Sequence, residues 1–141
     1  MTELSTASRK LQTVFDAVVH KRGLTLARTR VLLHLSNNPG VNQKELANIL
    51  GVETPTVVRL LDGMEKHGQI ARKAADRDRR AKQIVLTAFA ERQVEEIEEI
   101  SHRMGRQILE GVNGSDLQVT LRVLRQVVSN LEKSCSESTL P

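Results

Sequence analysis

The sequence predicts a mostly α-helical α+β fold with one small antiparallel hairpin. Apolar residues recur at helical spacing through most of the chain, as Leu11, Phe15 and Val18 do near its start. Two short segments, 69–73 and 82–86, instead alternate apolar and polar residues, which is the period of a half-buried strand. These patterns indicate six helices, with the hairpin between the fourth helix and the fifth.

Length and composition exclude several classes of protein. The 141 residues correspond to one domain, and no apolar run approaches the ~18 residues that a membrane span needs. The first residues lack the basic and apolar blocks of a secretory signal, so we expect a cytoplasmic protein without a membrane partner. The single cysteine, Cys135, excludes an internal disulfide framework. The chain has two Phe and no Trp or Tyr, so it has few aromatic side chains on which single-stranded bases could stack. This composition disfavours a protein that binds single-stranded nucleic acid.

Capping signals delimit the first four helices. The first helix is predicted over 5–21, and Thr25 is the predicted N-cap of the second. Asn42 and Glu45 form a capping box at the start of the third helix. Thr54 is predicted to cap the fourth helix, with Pro55 at its first position, where a missing N–H costs nothing.

The last two helices carry more apolar surface than an isolated bundle needs. Thr87 is predicted to cap the fifth helix, which reaches residue 109 or 110, and Ser115 opens a second capping box. The sixth helix combines a heptad-like seam with a neighbouring valine stripe: Leu117, Leu121, Leu124, Val128 and Leu131, then Val119, Val123 and Val127. This surplus, with that of the first helix, favours burial between two copies; the alternative is a purely intramolecular bundle.

Residues 43–57 have the pattern of a helix-turn-helix. Ala47 is small where two helices would cross closely, Gly51 suits a left-handed turn, and Val57 would pack the second helix onto the first. The first turns of that second helix enter a DNA major groove in such motifs. The residues that the motif predicts to be exposed there are Thr54, Pro55, Thr56 and Arg59. A three-helix core without a DNA role is the alternative.

The excess positive charge is concentrated at the predicted hairpin tip. Residues 71–82 contain six basic and two acidic residues, which accounts for the whole net charge of +4. Arginine suits a narrow minor groove, and an aspartate beside it can orient the guanidinium. The tip reads Asp76, Arg77, Asp78, Arg79 and Arg80. The alternative is a solvated loop with its own ion pairs.

Together these motifs closely resemble the multiple-antibiotic-resistance regulator (MarR) family, and most of all its SlyA-type branch. The resemblance rests on the run 56–65, on Gly68, Ile70 and Arg72, on Asp-Arg-Arg-Ala-Lys at 78–82, and on Leu86-Thr87. It implies a winged helix-turn-helix with N- and C-terminal dimerisation helices. Residues 24–87 would form the DNA-binding core, 1–22 and 88–134 the dimerisation helices, and 135–141 a disordered tail.

The resemblance also implies a function: a homodimer that binds double-stranded DNA at a pseudo-palindromic operator and represses transcription. Arg59 matches the arginine of the recognition helix, Arg79 the wing arginine of the minor groove, and Asp78 the aspartate that orients it. The full set of expected DNA-binding residues is Thr54, Pro55, Thr56, Arg59, Arg77, Asp78, Arg79, Arg80 and Lys82.

The resemblance further implies a small-molecule effector whose binding causes the protein to release DNA. Its pocket would lie by the second helix, near Thr29, Arg30 and Leu33. Thr29 stands where many family members carry a tryptophan beside their phenolic ligand. No constellation for catalysis, metal binding or a cofactor is present, so we expect none of the three. The alternatives are a winged helix that binds protein and a non-specific architectural DNA binder.

Overall fold

A computed structural model describes the backbone of residues 1–75 and 78–136 and the side chains of residues 1–74 and 82–134. The chain divides into two compact units, Met1–His102 and Arg103–Pro141. The predicted single domain stays a prediction. None of the helices in the described part of the chain is long and apolar enough to cross a membrane.

The first two helices are α1, Thr2–His20, and α2, Leu26–Asn37. The predicted cap of α2 is confirmed, because the Thr25 hydroxyl accepts a hydrogen bond from the Arg28 N–H at 3.3 Å. Only Val19 of α1 is buried, whereas α2 buries four residues: Thr29, Val31, Leu32 and Leu35.

Helices α3, Gln43–Leu50, and α4, Thr54–Lys66, follow. The capping box is confirmed: Asn42 Oδ1 accepts from the Glu45 N–H at 3.0 Å, and Glu45 Oε2 accepts from the Asn42 N–H at 2.9 Å. The predicted cap of α4 is wrong by one residue. Glu53 is the N-cap and makes no side-chain cap bond, so Thr54 is the first helical residue and Pro55 the second. A proline is tolerated there because N–H groups of the first turn have no partner within the helix.

The hairpin consists of β1, Ile70–Ala75, and β2, Asp78–Leu86, paired antiparallel. Both strands run further toward the tip than predicted. Residues 78–80, expected in the loop, belong to β2. Antiparallel pairing is made by backbone hydrogen bonds, so a strand can continue where the alternation of apolar and polar residues ends. The base of β2 is also bonded to the loop before α3, since the Ile84 N–H donates to the Val41 carbonyl at 3.1 Å.

The last two helices are α5, Ala88–Ile108, and α6, Gly114–Ser136. Thr87 caps α5 as predicted, because its hydroxyl accepts from the Ala90 N–H at 3.2 Å. The predicted cap of α6 is wrong: Asn113 Oδ1 accepts from the Ser115 N–H at 2.8 Å, so the helix begins earlier. A side-chain amide at that position satisfies the first free N–H groups as well as a serine would.

The core lies in the first unit and joins α2, α3, α4, the base of the hairpin and the first half of α5. Its fully buried members include Leu32, Leu46, Leu61, Met64 and Ile84. In contrast, no α6 side chain in the described range 114–134 is buried. Five apolar residues of α6 are between 38% and 54% exposed, which leaves an uncovered apolar face: Val119, Leu121, Val123, Val128 and Leu131.

Candidate nucleic-acid interface

The turn between α3 and α4 fixes the angle at which the two helices cross. Gly51 has a φ of 65°, in the left-handed region that favours glycine. The Gly51 N–H bonds to the Asn48 carbonyl at 3.2 Å, and the Val52 N–H bonds to the Ala47 carbonyl at 3.1 Å. This pair of bonds is a Schellman motif, which satisfies the last carbonyls of α3.

The crossing itself is buried, as predicted. Ala47 is 4% exposed, and Leu46, Val57 and Leu61 are fully buried. Burial on this scale contributes about 1.5–3 kcal/mol for each large apolar side chain. The buried side chains fix the orientation of α4, so that its opposite side faces solvent.

All four predicted residues of α4 are on that solvent side. Thr54, Pro55, Thr56 and Arg59 are exposed and lie within the first two turns of the helix. The N–H groups of Thr56 and Val57 bond back to the Glu53 carbonyl, at 3.0 Å and 3.3 Å. The structure thus brings together two hydroxyls and one guanidinium at an accessible helix N-terminus, where the helix dipole favours an anion.

The predicted hairpin residues are only partly within the described range. Lys82 is exposed on β2, opposite the exposed Ala74. Asp78, Arg79 and Arg80 lie on the backbone of β2, but their side chains are outside the described residues, as is Arg77 altogether.

Arg72 forms a clamp that the sequence analysis missed. Its guanidinium donates to Asp62 Oδ1 at 2.6 Å and to Glu65 Oε2 at 2.5 Å, both on α4. It also reaches Gln43 Oε1 of α3 at 3.5 Å. One side chain of β1 therefore holds the hairpin against both helices of the helix-turn-helix. A detectable signal was the spacing of Asp62 and Glu65, which places both carboxylates on one face of α4.

The clamp changes the electrostatics of the site. Arg72 counts toward the basic segment in the sequence, but its charge is engaged by two carboxylates and its side chain is only 15% exposed. Burial works to lower the pKa of Arg72, but the hydrogen bonds and charges of Asp62 and Glu65 raise it above the ordinary arginine value. The positive charge of Arg72 in turn offsets part of the negative charge of these two carboxylates.

The three residues predicted near an effector do not form one surface. Thr29 is fully buried, and its hydroxyl donates to the Thr25 carbonyl at 2.9 Å. Arg30 is exposed and Leu33 is half-buried. In the part of the chain whose side chains are described, no group of three or more His, Cys, Asp and Glu residues could hold a metal ion.

Comparisons with known proteins identify the family. A sequence model of the MarR family matches residues 22–81. The crystal structure of the transcriptional regulator PA3341 is 40% identical in sequence, covers 94% of this chain and 97% of its own, and superposes with a TM-score of 0.84. The chain belongs to the MarR family. The predicted family and the predicted winged helix-turn-helix are confirmed.

Two more distant structures show the same MarR fold. The transcriptional regulator SlyA is 19% identical, with a TM-score of 0.84 over 98% of this chain and 97% of its own. A DNA complex of MepR from S. aureus is 22% identical, with a TM-score of 0.76 over 91% of this chain and 93% of its own. MarR membership also confirms the predicted class of function, a DNA-binding transcription regulator.

The clamp generates a prediction about stability. Replacing Arg72 by Ala should lower the free energy of unfolding by about 1–2 kcal/mol, because it removes two charge-assisted hydrogen bonds whose partners stay partly solvated. The pKa of Arg72 is higher in the folded protein than the ordinary arginine value. Its contribution to the free energy of unfolding is therefore complete at any pH below the ordinary value, and it is lost only as the pH rises through the raised pKa. The loss should therefore be equal at pH 7 and pH 9.

Denaturant unfolding of both proteins at the two pH values measures this loss. Lys73→Ala is the matched control, since Lys73 is exposed on the same strand and should change stability by less than about 0.5 kcal/mol. Equal midpoints for Arg72→Ala and wild type would contradict the clamp.

Proposed function

We propose that this transcription regulator acts in the cytoplasm as a homodimer that occupies a pseudo-palindromic operator and represses transcription. The observation that carries the proposal is the exposed N-terminal end of α4, held by the buried crossing with α3. Two such helices, about one helical turn or ~34 Å apart, would read two half-sites of a duplex.

Each exposed residue of α4 has chemistry suited to a major groove. Arg59 can donate two hydrogen bonds to guanine or grip a phosphate. Thr54 and Thr56 can donate to phosphate, and a threonine methyl can contact thymine. The Arg72 clamp supports this role, because it offsets the carboxylates of Asp62 and Glu65 that would otherwise repel phosphate.

The hairpin supplies the second set of contacts in this proposal. Arg79 enters the adjacent minor groove and Asp78 orients it, while Arg77, Arg80 and Lys82 lie near phosphates. The pairing of Lys82 with Ala74 supports the arrangement, since a small neutral residue opposite the lysine leaves its ammonium group free to approach the backbone of DNA.

The uncovered apolar faces support the homodimer. On α1, the exposed fractions of Leu4, Leu11 and Val14 lie between 41% and 49%. The apolar face of α6 is exposed to a similar degree over its described length. Several exposed apolar side chains on one helix favour an interaction site. A second copy is the occupant we propose, because two half-sites require two copies of α4.

Release by a small-molecule effector remains part of the proposal. An effector that contacts α2 would meet Arg30 and Leu33, which are at least partly accessible. Thr29 would act only through packing, since its hydroxyl is already bonded within the helix.

Selection from random duplexes at two salt concentrations tests the proposed function. We expect a two-fold symmetric motif and an affinity that falls steeply with salt, because phosphate contacts release counterions. Salt-sensitive binding without a motif would indicate an architectural DNA binder. Absence of binding at both salt concentrations would favour a winged helix that binds protein.

Substitutions then separate base contacts from phosphate contacts. Arg59→Ala or Arg79→Ala should cost about 1–3 kcal/mol of specific affinity, whereas Lys82→Ala should weaken binding to all sequences and reduce the salt slope by about one. Titration of the selected operator and of a scrambled duplex measures both effects. Lys66→Ala, at the other end of α4, is the matched control. The wing assignment is wrong if Arg79→Ala leaves both affinity and salt slope unchanged.

The homodimer is tested at Leu131, which is 51% exposed. Leu131→Glu should raise the dimer dissociation constant by at least about tenfold, because a carboxylate would be buried between the two copies. Sedimentation at several concentrations measures the change, with circular dichroism as a check that α6 remains helical. Gln118→Glu, an exposed polar position on α6, should leave the dimer intact. Equal dissociation constants for Leu131→Glu and wild type would exclude this face from the interface.

A further inference from the structure

Two glutamines close the junction where α4, the hairpin and α5 meet. Gln69, between α4 and β1, is only 2% exposed. Its Nε2 donates to Oε1 of Gln93, a half-buried residue of α5, at 2.8 Å. This side-chain bond joins positions 24 residues apart in sequence.

The backbone around this pair is tightly connected. Gly68 has a φ of 69°, and the Gln69 N–H bonds back to the Met64 carbonyl of α4 at 2.9 Å. Thr87, the cap of α5, donates its hydroxyl to the Gly68 carbonyl at 2.6 Å and its N–H to the Gln69 carbonyl at 3.1 Å. The end of α4, the first residue before β1 and the start of α5 therefore share one small set of hydrogen bonds.

The glutamine pair is poorly explained by stability alone. Oε1 of Gln69 is buried and accepts no hydrogen bond from the described residues. If both amides were turned over, Nε2 of Gln69 would be left in that position instead. A buried amide with one unpaired atom is less stable than an apolar side chain of the same shape. Leucine or methionine at both positions would fill this space without that cost.

An amide pair differs from an apolar pair in being directional. Apolar packing depends on the area removed from water and tolerates small rotations, whereas a hydrogen bond weakens steeply as its angle falls. Gln69 follows the end of α4 by three residues, and Gln93 lies in the second turn of α5. The bond between them therefore restrains how α5 is oriented against α4 and the hairpin.

We propose that Gln69 and Gln93 are a positioning pair that sets the separation of the two half-sites that the dimer reads. The inference rests on the proposed function, in which α1 and α6 join the two copies and α4 enters the groove. Along the chain, α5 lies between the proposed DNA-reading core and α6. In this proposal the orientation of α5 therefore sets the distance between the α4 helices of the two copies. A one-base-pair insertion moves a half-site by ~3.4 Å and turns it by about 35°. A restrained junction tolerates neither change.

The test uses the selected operator and two derivatives, with one base pair added or removed between the half-sites. Wild type should bind each derivative at least about tenfold more weakly. The double variant Gln69→Leu, Gln93→Leu should bind the original operator within about threefold of wild type and lose less than about threefold on the derivatives. Its thermal midpoint should be equal to or higher than that of wild type.

Two further variants make the interpretation specific. Gln93→Leu alone leaves the buried amide of Gln69 without its hydrogen-bond partner, so the thermal unfolding midpoint of this variant should fall. The midpoint should rise again in the double variant, which removes that amide. Gln107→Leu, an exposed glutamine on the same helix, should keep the wild-type dependence on spacing. If the leucine pair does not fold, the pair Gln69→Met, Gln93→Met is measured in its place, because methionine adapts to irregular space.

The outcomes separate the two proposals. A folded double variant that keeps the tenfold spacing penalty overturns the positioning role, whatever its stability. The same conclusion follows if wild type binds a symmetric operator but is indifferent to spacing. If wild type selects no symmetric operator, the proposed function fails first, and the positioning role fails with it.

Discussion

The ion pairs of Arg72 are the contacts on which the arrangement of the proposed DNA-reading surface, α4 and the hairpin, depends. A hairpin of two strands is marginally stable by itself. The guanidinium of Arg72 links this hairpin to α3 and α4, in addition to the buried Ile70 and Ile84 at its base. The same contacts set a positive charge beside two carboxylates of α4. One residue therefore affects both the geometry and the electrostatics of the surface that we propose to face DNA.

Local signals in the sequence were sufficient for most of the fold. The capping box of Asn42 and Glu45, the left-handed turn at Gly51 and the caps at Thr25 and Thr87 depend on residues within a few positions of each other. The two errors at helix starts have a common cause. Thr54 and Ser115 are suitable caps, but the chain turns one or two residues earlier, at Glu53 and Asn113.

What the sequence could not provide depends on contacts between distant elements. The composition of residues 71–82 counted Arg72 as part of a basic patch, since nothing local shows that Asp62 and Glu65 face it. Likewise, Gln69 and Gln93 read as ordinary polar residues until the fold buries the first against the second. The exposed residues of α4 were predictable because the helix-turn-helix pattern fixes which side of that helix packs inward.

The hydrogen bond from Ile84 to Val41 has a consequence for how the hairpin can vary. It gives the base of β2 a neighbour on its second edge, so a slip of one residue in the pairing of β1 and β2 would break contacts on both sides at once. Insertions or deletions are therefore confined to the distal end, beyond the irregularity in pairing between Ala74 and Ala75. The hairpin can therefore vary in length while its base keeps the register that the core requires.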